Sequence, residues 1–167
     1  MESENPPITE IKSDDSEITL KPLTLEDCKE YLNLVDRNKE FLIPADRYQT
    51  LEEMKSSFDD PIERKKLRFT IRNNEDAIVG AINLNTPVNE STTTEVSYWL
   101  GEEFTKKGYA GKSLKTLTQY ATEELGYKAL FAKVKPANRR SVNVLLNCGF
   151  KYSGDLESQW SFTFLKK

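Results

Sequence analysis

The chain has 167 residues, enough for one domain with a hydrophobic core and too few for two domains of ordinary size. Charged residues make up 31% and apolar residues 37%, a composition typical of globular proteins and unlike that of disordered or membrane-spanning chains. The net charge of -3 argues against a nucleic-acid partner, because binding a phosphate backbone requires a surplus of basic side chains.

The chain contains no histidine and two cysteines without a pairing motif, so the sequence predicts no metal site. Any general base must then be a carboxylate, tyrosine, lysine, cysteine, terminal amine or water. Residues 1–16 are rich in acidic residues, serine and proline, which predicts a flexible N-terminal arm rather than a secretory signal. Since no segment has the length and apolarity of a membrane span, we predict a cytoplasmic protein without a membrane partner.

The first half of the domain, which we place at residues 17–167, is predicted to begin with a strand followed by two helices. Alternating apolar and polar residues at 17–23 indicate the strand. Thr24 and Thr50 are each followed three residues later by an acidic residue, a capping box that starts a helix. Between these helices, residues 38–49 hold apolar side chains without a clear period, and such a segment could line a substrate pocket.

The second half is predicted to complete a mixed sheet. Three strands separated by turn-forming residues indicate an antiparallel meander, at 67–72, 77–84 and 93–100. A helix at 112–125 then leads to a strand at 128–135, and a right-handed crossover makes that strand parallel to the one at 93–100. A short helix and a hairpin follow, at 138–147, 150–153 and 160–164. The fold class is therefore α+β (mixed α/β), with a mostly antiparallel sheet, one parallel pair and flanking helices.

The most informative stretch is residues 95–112, where a strand leads through a turn directly into a helix. A helix N-terminus offers unpaired N–H groups to a pyrophosphate, and Lys106, Lys107 and Lys112 add positive charge. A Walker A loop is excluded because Lys106 stands where its first glycine belongs, and a dinucleotide fingerprint lacks its first Gly-x-Gly. From the turn alone, a tight turn at Gly108 with solvated lysines is an equally good interpretation.

Two motifs resemble the acetyl-CoA motifs of the GCN5-related N-acetyltransferase (GNAT) superfamily. The first is Tyr-Trp-Leu-Gly at 98–101 with Gly-Tyr-Ala at 108–110, and the second is Asn-x-x-Ser at 138–141 with Gly-Phe at 149–150. Segments within residues 18–42 resemble the RimJ/RimL branch, which acetylates N-termini of ribosomal proteins. The resemblance implies a GNAT fold, in which the parallel strands splay into a V that admits the pantetheine arm of acetyl-CoA.

The resemblance also implies site residues. Those implied for cofactor binding are Trp99, Leu100, Lys106, Lys107, Gly108, Tyr109, Ala110, Gly111, Lys112 and Asn138. The chain departs from the family at Thr105 and Lys106, where relatives carry Arg or Gln and often Gly, and at Leu145, where many carry a tyrosine that protonates the leaving thiolate. In the RimJ/RimL branch the motif serine, here Ser141, takes over that role.

Two residues are predicted to be catalytic. Glu95 shares a strand face with Trp99 near the opening of the V, so it could take the amine proton directly or through water; an ordinary exposed carboxylate is the alternative. Ser141 could protonate the thiolate or only cap its helix, and Asn138 could bind the cofactor or only cap. A backbone N–H near Leu100 is the expected donor to the thioester oxygen.

We therefore predict direct transfer of the acetyl group from acetyl-CoA to a primary amine. By analogy with the RimJ/RimL branch, the acceptor is a protein N-terminal amine. The alternatives are a small amine such as a polyamine, an amino acid or an aminoglycoside, or a non-catalytic acyl-CoA-binding module. The resemblance further implies a monomer or a homodimer.

Overall fold

The computed structural model describes residues 10–42, 48–85 and 92–167, which form an eight-stranded sheet with four α-helices. The strands are β1 (Ile11–Lys12), β2 (Thr19–Pro22), β3 (Leu67–Arg72), β4 (Ile78–Asn85), β5 (Thr93–Leu100), β6 (Ala129–Val134), β7 (Lys151–Leu156) and β8 (Gln159–Leu165). The helices are α1 (Cys28–Arg37), α2 (Leu51–Ser56), α3 (Tyr109–Glu123) and α4 (Arg139–Asn147). None of these helices is long and apolar enough to cross a membrane.

The strands lie side by side in the order β1-β2-β3-β4-β5-β6-β8-β7. Every neighbouring pair is antiparallel except β5 and β6, which are parallel and are joined through α3. This confirms the predicted mixed sheet, with β2 to β5 as an antiparallel series and the crossover helix between the parallel strands. The chain order of the predicted elements is also confirmed.

Each face of the sheet packs against its own pair of helices, because successive side chains of a strand point to opposite faces. On one face, Val96 and Leu100 of β5 pack in the larger core with α3 and α4. On the other face, Ala81 of β4 and Trp99 of β5 pack in a smaller core with α1 and α2. By this alternation Glu95 shares the α1/α2 face with Trp99, whereas Val96 and Tyr98 alternate to the α3/α4 face.

Both predicted capping residues start helical turns, but only Thr24 forms the reciprocal box, since the Glu53 carboxylate accepts the N–H of Gln49 and not that of Thr50. The Asp27 carboxylate accepts hydrogen bonds from the backbone N–H and the hydroxyl of Thr24, at 2.9 and 3.0 Å. A short 3₁₀ turn there continues into α1. The hydroxyl of Thr50 accepts the N–H of Glu53 at 3.0 Å and starts α2. The predicted bounds of the helices are less accurate. The helix α3 starts at Tyr109, three residues before the start that the spacing of its apolar residues indicated.

The N-terminal arm predicted for residues 1–16 differs from the structure at its end. Ile11 and Lys12 pair with β2, and a turn joins the two strands. The Asp15 carboxylate holds this turn by accepting from the Ser13 hydroxyl at 2.8 Å and from the Glu17 N–H at 3.0 Å. Turn chemistry therefore outweighs the polar composition here. Residues 1–9 lie outside the described residues, as do residues 43–47 of the predicted pocket segment and residues 86–91, which include the turn predicted at 87–91.

Candidate active site

The sheet is split between its two parallel strands. β5 and β6 pair only over three positions, from Thr93 opposite Ala129 to Glu95 opposite Phe131. Beyond that point β5 continues to Leu100, while β6 stays paired with β8 along its full length and so diverges from β5. The predicted V is therefore present, and Glu95 lies at its apex. Backbone groups that face each other across the gap are available to an inserted ligand, as in strand addition.

A cavity of about 1020 Å³ passes through this split. Tyr98 and Ser141 line it from the α3/α4 face, and Tyr31 and Trp99 line it from the α1/α2 face. Its volume is at the upper end of the range for ligand pockets, roughly 300–1,000 Å³. The cavity thus connects two separate approaches to the apex, one from each face of the sheet.

One end of the cavity lies at the turn before α3, where Thr105 and Ala110 are in its lining. None of the six backbone N–H groups from Lys106 to Gly111 donates to a group within the described residues. Gly108 has a φ of 81°, and a Cβ atom at this position would meet only a Lys112 side-chain carbon, at 3.8 Å. The turn therefore presents a row of free donors at a helix N-terminus, the arrangement that binds pyrophosphates.

The departure at Lys106 has a visible backbone consequence. Lys106 has a φ of 66°, in the left-handed region that glycine adopts without strain. This conformation suits the glycine that the family motif often has at that position, and here a lysine adopts it. Gly108, two residues later, is also left-handed.

The Lys112 side chain does not extend toward a free site. Its ammonium forms ion pairs with Asp15, at 2.9 Å, and with Glu17, both in the segment that joins β1 to β2. The Glu17 N–H, the Lys112 ammonium and the Ser13 hydroxyl lower the pKa of Asp15 to about 2. The Lys112 N–H is also used, since it donates to the Gly108 carbonyl at 3.1 Å. These contacts hold Lys112 against the segment that joins β1 to β2. The cofactor roles of Lys106, Lys107 and Lys112 stay predictions.

Glu95 is held in place by two polar neighbours on adjacent strands. One carboxylate oxygen accepts a hydrogen bond from the Asn85 side chain at 2.7 Å, and the other lies 3.5 Å from the Lys133 ammonium. The carboxylate is 25% exposed and lines the cavity together with both partners. It is therefore an oriented carboxylate at the apex of the V, and it retains lone pairs for an amine.

The sequence left open whether Asn138 or Ser141 caps α4, and the hydrogen bonds of the two side chains answer this. The Asn138 side chain accepts the Ser141 N–H at 3.2 Å, so Asn138 is the cap of α4. The Ser141 hydroxyl is consequently free of the capping role, and it forms a 2.7 Å hydrogen bond with the Tyr98 hydroxyl. Burial raises the pKa of Tyr98 to about 12. Leu145, at the family's usual tyrosine position, is fully buried in the core.

The sequence profile of the acetyltransferase (GNAT) domain family matches residues 17–151. The chain belongs to this family. It is 28% identical over 148 residues to "Probable N-acetyltransferase YjcK" of Bacillus subtilis, an alignment that covers 82% of each chain. Its fold is similar to that of RimJ of Mycobacterium smegmatis, with a TM-score of 0.78 and 15% identity over 93% of this chain and 85% of that one. It is also similar to a spermidine N-acetyltransferase of Vibrio cholerae, with a TM-score of 0.76 and 19% identity over 90% and 94%.

As a GNAT domain the chain is an acetyl-CoA-dependent N-acetyltransferase, which confirms the predicted fold class, enzyme class and co-substrate. The cofactor-binding residues remain a prediction. Their side chains lie in different environments. Leu100 is buried in the larger core, so only its backbone is available to a ligand. Tyr109 and Ala110 pack against the same core, beside the turn. The Trp99 ring contacts Tyr31 edge to face at 5.3 Å, on the α1/α2 face of the GNAT sheet.

Sequence analysis missed several polar residues of this GNAT site. Tyr98 was noted only as part of the motif at 98–101, although its position one residue from Trp99 places it on the α3/α4 face, where α4 and Ser141 lie. Asn85 and Lys133 were not singled out, because they meet Glu95 only through the pairing of β4, β5 and β6. The strand alternation could have identified Tyr98; no local signal could have identified the other two.

Proposed function

We propose that this enzyme acetylates the N-terminal amine of a peptide or protein, with the cofactor entering from the α3/α4 face and the acceptor from the α1/α2 face. The observation that carries the proposal is the cavity through the split sheet, which has Glu95 on the acceptor side of the apex and Ser141 on the cofactor side. An amine and a thioester that enter from opposite faces would meet there in line.

The α3/α4 face supplies the groups that acetyl-CoA needs. The free N–H groups of residues 106–111 suit the pyrophosphate, and Lys106 and Lys107 add positive charge. The open backbone edges of β5 and β6 suit the pantetheine amides. Together these features lead the thioester from the turn toward the apex, along a stretch of β5 that spans about 17 Å at the usual rise per residue.

The chemistry then requires two proton transfers. As the amine nitrogen bonds to the thioester carbon, Glu95 takes the amine proton, directly or through a water molecule. As the carbon–sulfur bond breaks, the Ser141 hydroxyl donates its proton to the departing thiolate. Tyr98 holds the Ser141 hydroxyl at 2.7 Å. Solvent water then reprotonates Ser141 while Glu95 releases its proton to solvent, so the products are the amide and free CoA.

The charge of the cavity distinguishes between the possible acceptors. Among the described residues, its lining contains five basic and three acidic side chains, although the chain as a whole has a net charge of -3. Two of the basic side chains, Arg139 and Arg140, belong to α4, and the other three are matched by the three carboxylates. The lining therefore has no acidic surplus to bind the several positive charges of a polyamine. A peptide N-terminus brings a single amine that reacts in its neutral form. The relatives of this fold include both a RimJ and a spermidine N-acetyltransferase, so the lining is the observation that favours the peptide.

A panel of acceptors tests this assignment directly. The protein is incubated with acetyl-CoA and a peptide with a free N-terminus, the same peptide formylated at its N-terminus with one internal lysine, spermidine, or an aminoglycoside. Free thiol and the mass of the acceptor are measured. We expect acetylation of the free N-terminus alone. Acetylation of spermidine but of no peptide contradicts the proposal, and tight binding of acetyl-CoA without thiol release from any acceptor supports the non-catalytic alternative.

A further inference from the structure

The wall of the cavity on the acceptor side contains a nearly buried arginine. The Arg68 side chain is 11% exposed, lines the cavity and lies over the ring of Phe58, with 4.6 Å from the guanidinium carbon to the ring centre. One terminal nitrogen donates to the Ser57 hydroxyl at 2.8 Å and to the Tyr48 hydroxyl at 3.1 Å. Both of these acceptors are neutral, so the hydrogen bonds orient the guanidinium without neutralising its charge.

The charge of Arg68 is only partly balanced by the protein. Among the described residues the nearest carboxylate is Glu63, at 3.8 Å, and Glu63 also pairs with Lys66 at 2.9 Å. One carboxylate therefore serves two cations. Glu53 also lines the cavity, but its carboxylate accepts the Gln49 N–H at 3.1 Å. Within the described residues, the Nε and the second terminal nitrogen of Arg68 have no acceptor. A nearly buried guanidinium with free donors is a binding group for a carboxylate.

The sheet register gives the distance from this group to the reacting amine. Arg68 lies opposite Asn83, which lies opposite Ser97, and Ser97 is two residues from Glu95 on the same face. Two strand spacings across and two residues along give about 12 Å between the backbones of Arg68 and Glu95. Both side chains extend into the cavity and shorten this span. An extended peptide advances about 3.3 Å per residue, so a carboxylate on its second or third residue would reach Arg68.

We propose that the acceptor is a peptide with an acidic side chain at its second or third residue, which Arg68 binds with the help of Lys66 while the N-terminal amine lies at Glu95. This rests on the proposed function and narrows it to a substrate class. The preference arises from the acceptor face and does not depend on how acetyl-CoA binds.

The test compares peptides that are identical except at positions two and three, where both are Glu, both Gln or both Lys. For the wild-type enzyme we expect kcat/KM to be highest for the Glu peptide. Arg68→Gln should reduce the Glu-over-Gln ratio about ten-fold, the value of one charge-assisted hydrogen bond pair, and Arg68→Lys should restore part of it. Arg64→Gln is the matched control, since Arg64 is exposed and lies outside the cavity lining.

A purely structural Arg68, which only holds Ser57 and Tyr48 against β3, predicts a different result. Its loss would then slow all three peptides equally and leave the ratio unchanged, which overturns the proposal. If Arg68→Gln does not fold, Lys66→Gln provides the same comparison at a more exposed position. Equal kcat/KM for the wild-type enzyme with the Glu and Gln peptides, or a preference for the Lys peptide, also overturns it.

A binding measurement separates this inference from the proposed function. Peptide binding to the CoA-loaded protein is followed by the fluorescence of Trp99, which lines the cavity. If no peptide is acetylated but the Glu peptide still binds more tightly than the Gln peptide, and Arg68→Gln removes the difference, the acetyl-transfer assignment fails and the anion site stands. If acetylation occurs without a Glu preference in either assay, the anion site fails alone.

Discussion

The two faces of the sheet contribute to the site in different ways. On the α3/α4 face, the cofactor region consists of backbone N–H groups at a helix start, a left-handed turn and two hydroxyls, those of Ser141 and Tyr98. On the α1/α2 face, the acceptor region consists of charged side chains that hold one another, such as Glu95 with Lys133 and Arg68 with Glu63. In the proposed function, the first region recognises a fixed co-substrate through main-chain geometry. The second is defined by individual side chains, which is where acceptor specificity can change without altering the fold.

This contrast predicts that variants on the two faces will alter different kinetic constants. Substitutions on the acceptor face should change turnover and the choice of acceptor while acetyl-CoA binding is preserved. Substitutions at the turn should change acetyl-CoA binding for every acceptor. The separation is testable because the two regions lie on opposite faces of the sheet, with Glu95 at the apex of the V.

Glu95→Gln should have the largest effect. It removes the proposed base and keeps the size of the side chain and one acceptor for the Asn85 amide. We expect kcat to fall about a hundred-fold or more, the usual contribution of a general base, with little change in acetyl-CoA affinity measured by calorimetry. Glu102→Gln, at an exposed position in the turn after β5, is the control. Turnover equal to that of the parent would show that Glu95 is an ordinary strand carboxylate.

Ser141→Ala and Tyr98→Phe test the hydroxyl pair on the other face. Ser141→Ala should lower kcat about a hundred-fold and Tyr98→Phe about ten-fold, because the first removes the acid and the second only its partner. The double variant should be no slower than Ser141→Ala, since the two residues act as one unit.

The raised pKa of Tyr98 adds a second measurement to the test of the hydroxyl pair, the pH profile of kcat. Because burial raises that pKa from 10.0 to about 12, the hydroxyl stays protonated in any assay near neutral pH. The pH profile of kcat should therefore keep its shape in Tyr98→Phe and only move to lower values. Tyr152→Phe, at an exposed tyrosine of β7, is the matched control. Additive losses in the double variant would mean that the hydrogen bond has no part in catalysis.

The same contrast explains what the sequence could predict. The cofactor turn, the cap at Asn138 and the split between parallel strands follow from local patterns and from family motifs within about 55 residues. Arg68 and Lys133 belong to the site only because β3 to β6 assemble in one register, and that pairing joins residues far apart in sequence. The ion pairs of Lys112 could not be predicted for a related reason: its partners, Asp15 and Glu17, lie almost a hundred residues away.

Gly108→Leu should weaken acetyl-CoA binding without a selective effect on any acceptor. A side chain at Gly108 would crowd the phosphates, and its φ of 81° strains any residue other than glycine, at a cost of about 1–2 kcal/mol. Gly126→Leu separates the two causes, because Gly126 has the same φ of 81°, lies after α3 and has open space around it. We expect both variants to lose similar free energy of unfolding in urea, and only Gly108→Leu to raise the KM for acetyl-CoA. An equal rise in both would place the phosphates elsewhere.

The smallest expected effect is at Lys106, and it concerns stability. Since Lys106 is left-handed at a φ of 66°, Lys106→Gly should relieve strain of about 1–2 kcal/mol, offset in part by the greater freedom of glycine in the unfolded chain. We therefore expect a gain of up to about 1 kcal/mol in the free energy of unfolding. Lys107→Gly removes the same charge at a neighbouring position without a positive φ, so it should give no gain. If acetyl-CoA affinity falls equally in both variants, the lysines contribute through charge; if it falls in neither, the backbone N–H groups bind the pyrophosphate without them.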